Sequence, residues 1–149
     1  MADKTIKQLL NKTLGTSRPT LTLYPVTTGN PAGGGAGARI ISLAGAGWGA
    51  AVNLIAGGVG AGIDFWLTQL QYDFWDGGAI QVMSVRINNA TLGTIVYETK
   101  VHPTIVSINI APVTFPYPIY CNPATQITGQ GAGAAIRGIY TSVLVATGI

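Results

Sequence analysis

The sequence predicts an all-β domain, a β-sandwich of jelly-roll type preceded by a short N-terminal helical arm. Three observations carry this expectation. Between Gly62 and Asn88 two long period-2 runs meet at Asp76-Gly77-Gly78. Further short apolar runs, separated by Gly, Pro and Asn turn residues, bring the expected strands to about eight to ten. The last of them, Ala135 to Thr147, is apolar on both faces at Val143-Leu144-Val145, as a central strand is. Many short strands at regular spacing point to a sandwich or jelly roll.

Residues 1–14 read as a short amphipathic helix. Thr5 and Gln8 fit a capping box, Gly15 fits a stop, and Ile6, Leu9, Leu10 and Leu14 share one face. A helix of about ten residues is marginal alone in water, so this stripe has to dock on its own body or on a neighbouring subunit. Residues 1–18 form the arm and 19–149 the β-domain. Thr20 to Tyr24 alternates as a first edge strand ended by Pro25, and 27–38 is a Gly-rich loop. Its G-x-G spacings are not followed by G-K-[ST], so a phosphate loop is disfavoured.

Residues 40–63 carry no charge. Length alone admits a membrane span, and Gly45-x-x-x-Gly49 and Gly58-x-x-x-Gly62 match a packing motif of membrane helices. The same glycines cut the stretch into short pieces, which read better as two buried strands with turns.

The runs on either side of Asp76-Gly77-Gly78 read as a central hairpin, with Trp66, Thr68, Leu70, Tyr72 and Phe74 on one face of the first strand. Leu70 and Val82 are expected in the core and Gln71 outside. A turn at Asn88 to Gly93 leads into a strand over Thr94–Val101, and Thr104–Ile110 alternates as another. In Pro112 to Cys121, residues Val113, Phe115, Tyr117, Ile119 and Cys121 fall on one side and three prolines on the other. Proline donates no ladder hydrogen bond, so this is an edge segment. Thr125 to Thr128 reads as a short strand and Gly129 to Gly133 as a flexible loop.

Only 9% of the 149 residues are charged, against roughly 25% in an average soluble protein. Hydrophobic residues make up 48%. Such a surface is best explained by partners that cover it, so the sequence predicts a homo-oligomer, most simply a trimer, or a subunit of a larger shell. The net charge of +3 resides in the arm, where Lys4, Lys7, Lys12 and Arg18 outnumber Asp3; the rest of the chain is neutral. A basic arm can reach for nucleic acid or an acidic protein surface, and the apolar stripe favours protein.

Little material for chemistry is present. His102 is the single histidine and Cys121 the single cysteine, which excludes an intrachain disulfide and a cysteine-based zinc site. Asp73-x-x-Asp76-Gly77-Gly78 supplies two carboxylates, too few for a typical calcium loop. No catalytic residue, metal ligand or cofactor site is expected, and the protein reads as a non-enzyme. Trp48, in a Gly-Ala-Gly-Trp-Gly-Ala segment, is the best candidate for an exposed interface anchor.

In layout the chain resembles the small β-sandwich structural proteins of tailed bacteriophage virions, above all capsid decoration (cement) proteins. The resemblance rests on the basic arm, the Gly/Ala-rich lead-in, the DFWLTQLQYDFWDGGAIQVMSVRINN segment, the proline-punctuated PVTFPYPIY and the terminal GAAIRGIYTSVLVATGI. It implies a protein on the capsid surface that binds the major capsid protein or other virion subunits and reinforces the lattice, often as a trimer. Tail, baseplate and head-fibre subunits share the layout. A carbohydrate-binding sandwich and a membrane protein using residues 40–63 are the alternatives from other classes, with nucleic acid and membrane both disfavoured as partners.

Overall fold

The computed structural model describes residues 19–25, 37–43, 47–75, 82–101, 112–133 and 138–148. The expected helical arm, most of the Gly-rich loop, the expected strand at Thr104–Ile110 and His102 lie outside these residues. Among the described residues there are nine strands: β1 (Thr20–Tyr24), β2 (Ala38–Ile41), β3 (Val52–Ile55), β4 (Phe65–Trp75), β5 (Met83–Asn89), β6 (Thr94–Val101), β7 (Val113–Cys121), β8 (Ile127–Gly133) and β9 (Gly138–Thr147).

They form two antiparallel sheets. In the first, the order is β1-β9-β4-β7, with β2 sharing one side of β9 with β1. In the second, the order is β3-β8-β5-β6. The pairs β2·β9, β3·β8, β4·β7 and β5·β6 are nested, as if one long hairpin had been rolled up with its tip at the β5–β6 turn. That tip is a true hairpin: Asn89 Oδ1 accepts from the Leu92 amide at 3.0 Å, and Gly93 takes the left-handed φ of 68° that the turn requires.

One core lies between the sheets. Phe65, Leu67 and Leu70 of β4 and Ile139, Val143 and Val145 of β9 meet Met83, Val85 and Ile87 of β5 and Ile127 of β8, all with no exposed surface. The strands β1 and β3 edge the sandwich on one side, and β2 contacts both β3 and β8 across the layers. On the other side β7 lies over β6, where Phe115 meets Tyr97 edge-on with ring centroids 5.2 Å apart.

Several expectations hold. The first strand, the Thr94–Val101 strand and the proline-rich edge strand are β1, β6 and β7, and β9 is central with neighbours on both sides. Residues 40–63 contain the end of β2, all of β3 and turns. No helix among the described residues is long and apolar enough to cross a membrane.

Four expectations are corrected. First, β4 and β5 are not a hairpin. Both sides of β4 are taken by β9 and β7, so β5 pairs in the other sheet with β8 and β6. Second, β4 does not keep one face. Its ladders run Leu67↔Val145 and then Gln69↔Leu144, so Thr68 is the extra residue of a β-bulge. The bulge shifts the alternation by one: Phe65 and Leu67 point inward before it, Leu70 and Tyr72 after it. The Thr68 hydroxyl donates to the Leu144 carbonyl at 2.9 Å and occupies the acceptor there. Third, Val82 precedes β5 and is 44% exposed, while Leu70 is fully buried as expected. Fourth, Gly129 to Gly133 is strand rather than loop. These glycines face the core: a Cβ on Gly129 would overlap Cδ1 of Ile40 from the other sheet, and one on Gly131 would overlap Cε of Met83 from the neighbouring β5 and lie 3.1 Å from Cγ2 of Ile40. Close packing of Ile40 across the layers and of Met83 from the adjacent strand, not chain flexibility, accounts for their small size.

Candidate interaction surfaces

The two outer faces of the sandwich differ in chemistry. On the first sheet, direct cross-strand partners line up Leu21 of β1, Ala146 of β9, Trp66 of β4 and Tyr120 of β7 in one row. Their neighbours along the strands, Leu67, Val145 and Cys121, point into the core, so this row points outward. Trp66 is nearly covered, with its ring 5.3 Å from that of Tyr120. Leu21 is 57% exposed, and Tyr120 and Leu23 are open too. Partial desolvation, and then the Asp64 carboxylate beside it, push the Tyr120 hydroxyl above its ordinary pKa. The next row runs Leu23, Leu144, Gln69 and Thr114; Gln71 Nε2 donates to Gln69 Oε1 at 2.9 Å, and Gln69 Nε2 to Thr114 Oγ1 at 3.2 Å. An apolar band bordered by satisfied amides is the composition of a protein interface.

The second sheet presents a polar outer face. Gln130 Oε1 accepts from Arg86 Nε and from Asn88 Nδ2, each at 3.1 Å, while Gln130 Nε2 donates to the Gly49 carbonyl at 2.9 Å. Gln126 Nε2 donates to Asn53 Oδ1 at 2.7 Å. These groups bond one another, and Gln130 uses both its side-chain oxygen and its nitrogen within the molecule.

Trp48 belongs to this second face. Its backbone bridges to Ala132, its side chain is half-buried, and the Arg86 guanidinium lies over its ring at 4.1 Å. One ring face is therefore used within the molecule, in a cation–π contact of about 0.5–2 kcal/mol. The other expected partner-binding residues, Ile6, Leu9, Leu10 and Leu14, lie outside the described residues, so they cannot be placed beside Trp48.

The most exposed aromatic on β7 is Tyr117, which the sequence offers only as one of several aromatics that could form a binding surface. Along β7 the pairing with β4 jumps from Thr114↔Gln69 to Ile119↔Leu67, so Phe115 to Pro118 face the single bulged residue Thr68. Pro116 and Pro118 have no N–H to offer a ladder, and each fixes its φ near −65°. Phe115 turns in and is buried, while Tyr117, which simple alternation puts on the same side, is 82% exposed. The signal was present in the Pro-Tyr-Pro triplet: two prolines two residues apart prevent regular pairing there.

An open groove of about 410 Å³ lies at the opposite lateral edge. Tyr24 and Pro25 from the end of β1 line it with Asn53, Leu54, Ala56 and Gly58 from β3 and the turn after it, and no charged side chain contributes.

Among the described residues no three His, Cys, Asp or Glu side chains gather. Cys121 is a free, buried thiol whose pKa burial pushes up to about 11, which keeps it protonated and unreactive near neutral pH. Burial also pushes the Tyr72 hydroxyl well above its ordinary pKa, with Tyr97 adding to the effect. The Tyr72 hydroxyl and Thr141 Oγ1 are buried without a hydrogen-bond partner.

No family model matches the chain, and no curated protein matches it. Among solved structures, a chain in the structure of infectious bursal disease virus, Gx strain, is similar to 87% of this chain at 14% identity and a TM-score of 0.43; the match spans 33% of that longer chain.

Proposed function

We propose that this protein is a non-enzymatic virion structural protein, a jelly-roll subunit that binds the capsid lattice of a tailed bacteriophage and reinforces it. The nested strand pairing supports the jelly roll, since rolling one long hairpin produces the layers β2-β9-β4-β7 and β3-β8-β5-β6, to the first of which β1 adds a fifth strand. The observation that carries the assembly role is the outer face of the first sheet. Leu21, Leu23 and Tyr120 are exposed there, in rows with Trp66 and Ala146, which are themselves nearly covered. Burying one such leucine stabilises a contact by roughly 1.5–3 kcal/mol, whereas an exposed ion pair adds about 0–1 kcal/mol. With 9% charged residues, attachment rests on apolar area and depends weakly on salt. The partners are further copies of this chain, with a trimer as the simplest closed form, and the major capsid protein. The basic arm adds a second contact through Ile6, Leu9, Leu10 and Leu14.

The test is co-sedimentation with phage capsids stripped of accessory proteins. The wild type pellets with the shells across a range of salt concentrations, and Leu21→Glu with Leu23→Glu abolishes pelleting while the circular dichroism spectrum stays unchanged. Equal pelleting by the folded double variant removes the face from the account. Steeply salt-dependent retention of DNA instead of shells makes the chain a nucleic-acid binder, because each phosphate contact releases counterions.

A further inference from the structure

The strands β1 and β2 lie end to end along one side of β9. Tyr24, the last residue of β1, is opposite Val143, and Ala38, the first of β2, is opposite Thr141. Both run antiparallel to β9, so they share one direction, and a single residue opposite Ser142 would join them into one strand. The chain instead connects them through residues 25–37, thirteen in place of one, five of them Gly. A connection of that length reaches at most about 45 Å. A small domain is only about 30 Å across.

We infer that β1 is exchanged between copies: the β1 strand of one chain pairs with β9 of a neighbouring chain, in the register that β1 and β9 keep in this fold. This names the element that joins the oligomer proposed above and rests on that reading. The ladder itself identifies the occupant. Residues Thr20 to Tyr24 match β9 from Thr147 to Val143 without a break in register, and the identical segment of another copy makes the same ladder. Exchange therefore sacrifices no pairing within the sandwich and adds a covalently continuous link between copies. Left uncovered, Val143 to Thr147 would be an open, apolar strand edge, a template for unwanted pairing. The edge of β9 is covered in either form, by its own β1 or by a neighbour's.

Three features make β1 the exchangeable element. It is held chiefly by the β9 ladder, whereas β2 also contacts β3 and β8 across the layers. Its side chains bury little: Thr20, Leu21 and Leu23 are exposed, Thr22 and Tyr24 are half-buried, and of the five only Tyr24 packs against the core. An element with so few buried apolar contacts separates from its body at low cost. Leu21 and Leu23 also belong to the outer band through which copies meet, so β1 lies where a neighbour comes closest. Closing thirteen residues, five of them Gly, over a gap that one residue would bridge costs chain entropy. A neighbour already held by the outer band presents its β9 at an effective concentration on the order of millimolar, which competes with that closure. Because residues 1–18 precede β1, exchange delivers the arm to the neighbour as well.

The experiment uses the full chain. Leu23 and Leu144 oppose each other directly, and the Cβ atoms of such a pair are about 4.5–5.5 Å apart, near what a disulfide spans. The double variant Leu23→Cys/Leu144→Cys is refolded under reductant, checked by circular dichroism, oxidised mildly and run on a denaturing gel without reductant. Cys121 is buried and stays out of the reaction. The expected result is covalent multimers with little material left at monomer mass. The two single variants, unfolded together and refolded as a mixture, give a covalent dimer containing one chain of each kind, identified by mass spectrometry. Sedimentation velocity on the reduced wild type runs beside both and shows an oligomer. If the wild type is oligomeric but the double variant closes within one chain at monomer mass, and the singles form no mixed dimer, exchange is wrong while the assembly role stands. A monomeric wild type overturns exchange together with the oligomer on which it rests. No bond at all in the double variant overturns the register of β1 on β9, and exchange with it.

Discussion

Replacing Gly129 by Ala tests how the two sheets are stacked. A Cβ there would overlap Cδ1 of Ile40, sit 3.0 Å from its Cγ1 and 3.6 Å from Cδ1 of Leu54. Ile40 and Leu54 are buried, so neither side chain can swing into solvent. Overpacking of this kind costs about 1–3 kcal/mol. Against it stands a gain of about 0.4–1 kcal/mol from the lower entropy of an unfolded chain with Ala in place of Gly. The steric term wins, for a net loss of about 1–2 kcal/mol. Ile40→Val removes the offending Cδ1 and alone costs about 0.5–1.5 kcal/mol. The double variant Ile40→Val/Gly129→Ala is therefore less destabilised than the sum of the singles, by about 1 kcal/mol, because the new methyl fills the space that was vacated. Denaturant unfolding followed by tryptophan fluorescence measures the cycle. Gly57→Ala is the control, since nothing lies within 4 Å of its would-be Cβ. Additivity within about 0.5 kcal/mol, or an unchanged Gly129→Ala, would refute the stacking of Ile40 on Gly129.

The remaining predictions concern the core and its titrating groups. Leu70→Ala loses about 2–5 kcal/mol in the same unfolding assay, whereas Val82→Ala loses far less because Val82 is 44% exposed; equal losses contradict the assigned start of β5. Tyr72→Phe keeps or raises stability at pH 7, by up to about 1 kcal/mol, because it deletes a buried hydroxyl without a partner; a loss of several kcal/mol reveals a partner for it. The folded Tyr72 holds its proton above its ordinary pKa of 10.0, so above about pH 10 the unfolded chain binds fewer protons and stability falls as pH rises; Tyr72→Phe flattens that fall. Cys121, with its pKa raised to about 11, reacts slowly with a thiol reagent at pH 8 until denaturant exposes it; fast labelling of the folded chain contradicts its burial.

The strand class was legible because period-2 alternation survives in β1, β5, β6 and most of β7, and because β9 is apolar on both faces as its central position demands. Partner choice was not legible. Alternation in β4 and β5 says that each has an inner face, but not that they belong to different layers. The Thr68 bulge is equally silent: one inserted residue reverses the facing of everything after it, and no residue type marks the position. The glycines of β8 misled for a physical reason. Composition reads them as flexible, while the structure uses the missing Cβ to let Ile40 and Met83 approach. At the surface, Trp48 drew attention as a large aromatic among glycines, yet Arg86 already covers one face of it. The exposed Tyr117 was hidden by assuming that alternation continues through Pro116 and Pro118.

The most direct test of the account is the mass of the purified chain by light scattering over a wide concentration range, alone and after addition of stripped phage shells. The account predicts a discrete oligomer that persists on dilution and in moderate salt, and that shifts into the shell fraction when shells are added. A well-behaved monomer at high concentration that stays out of the shell fraction would contradict it.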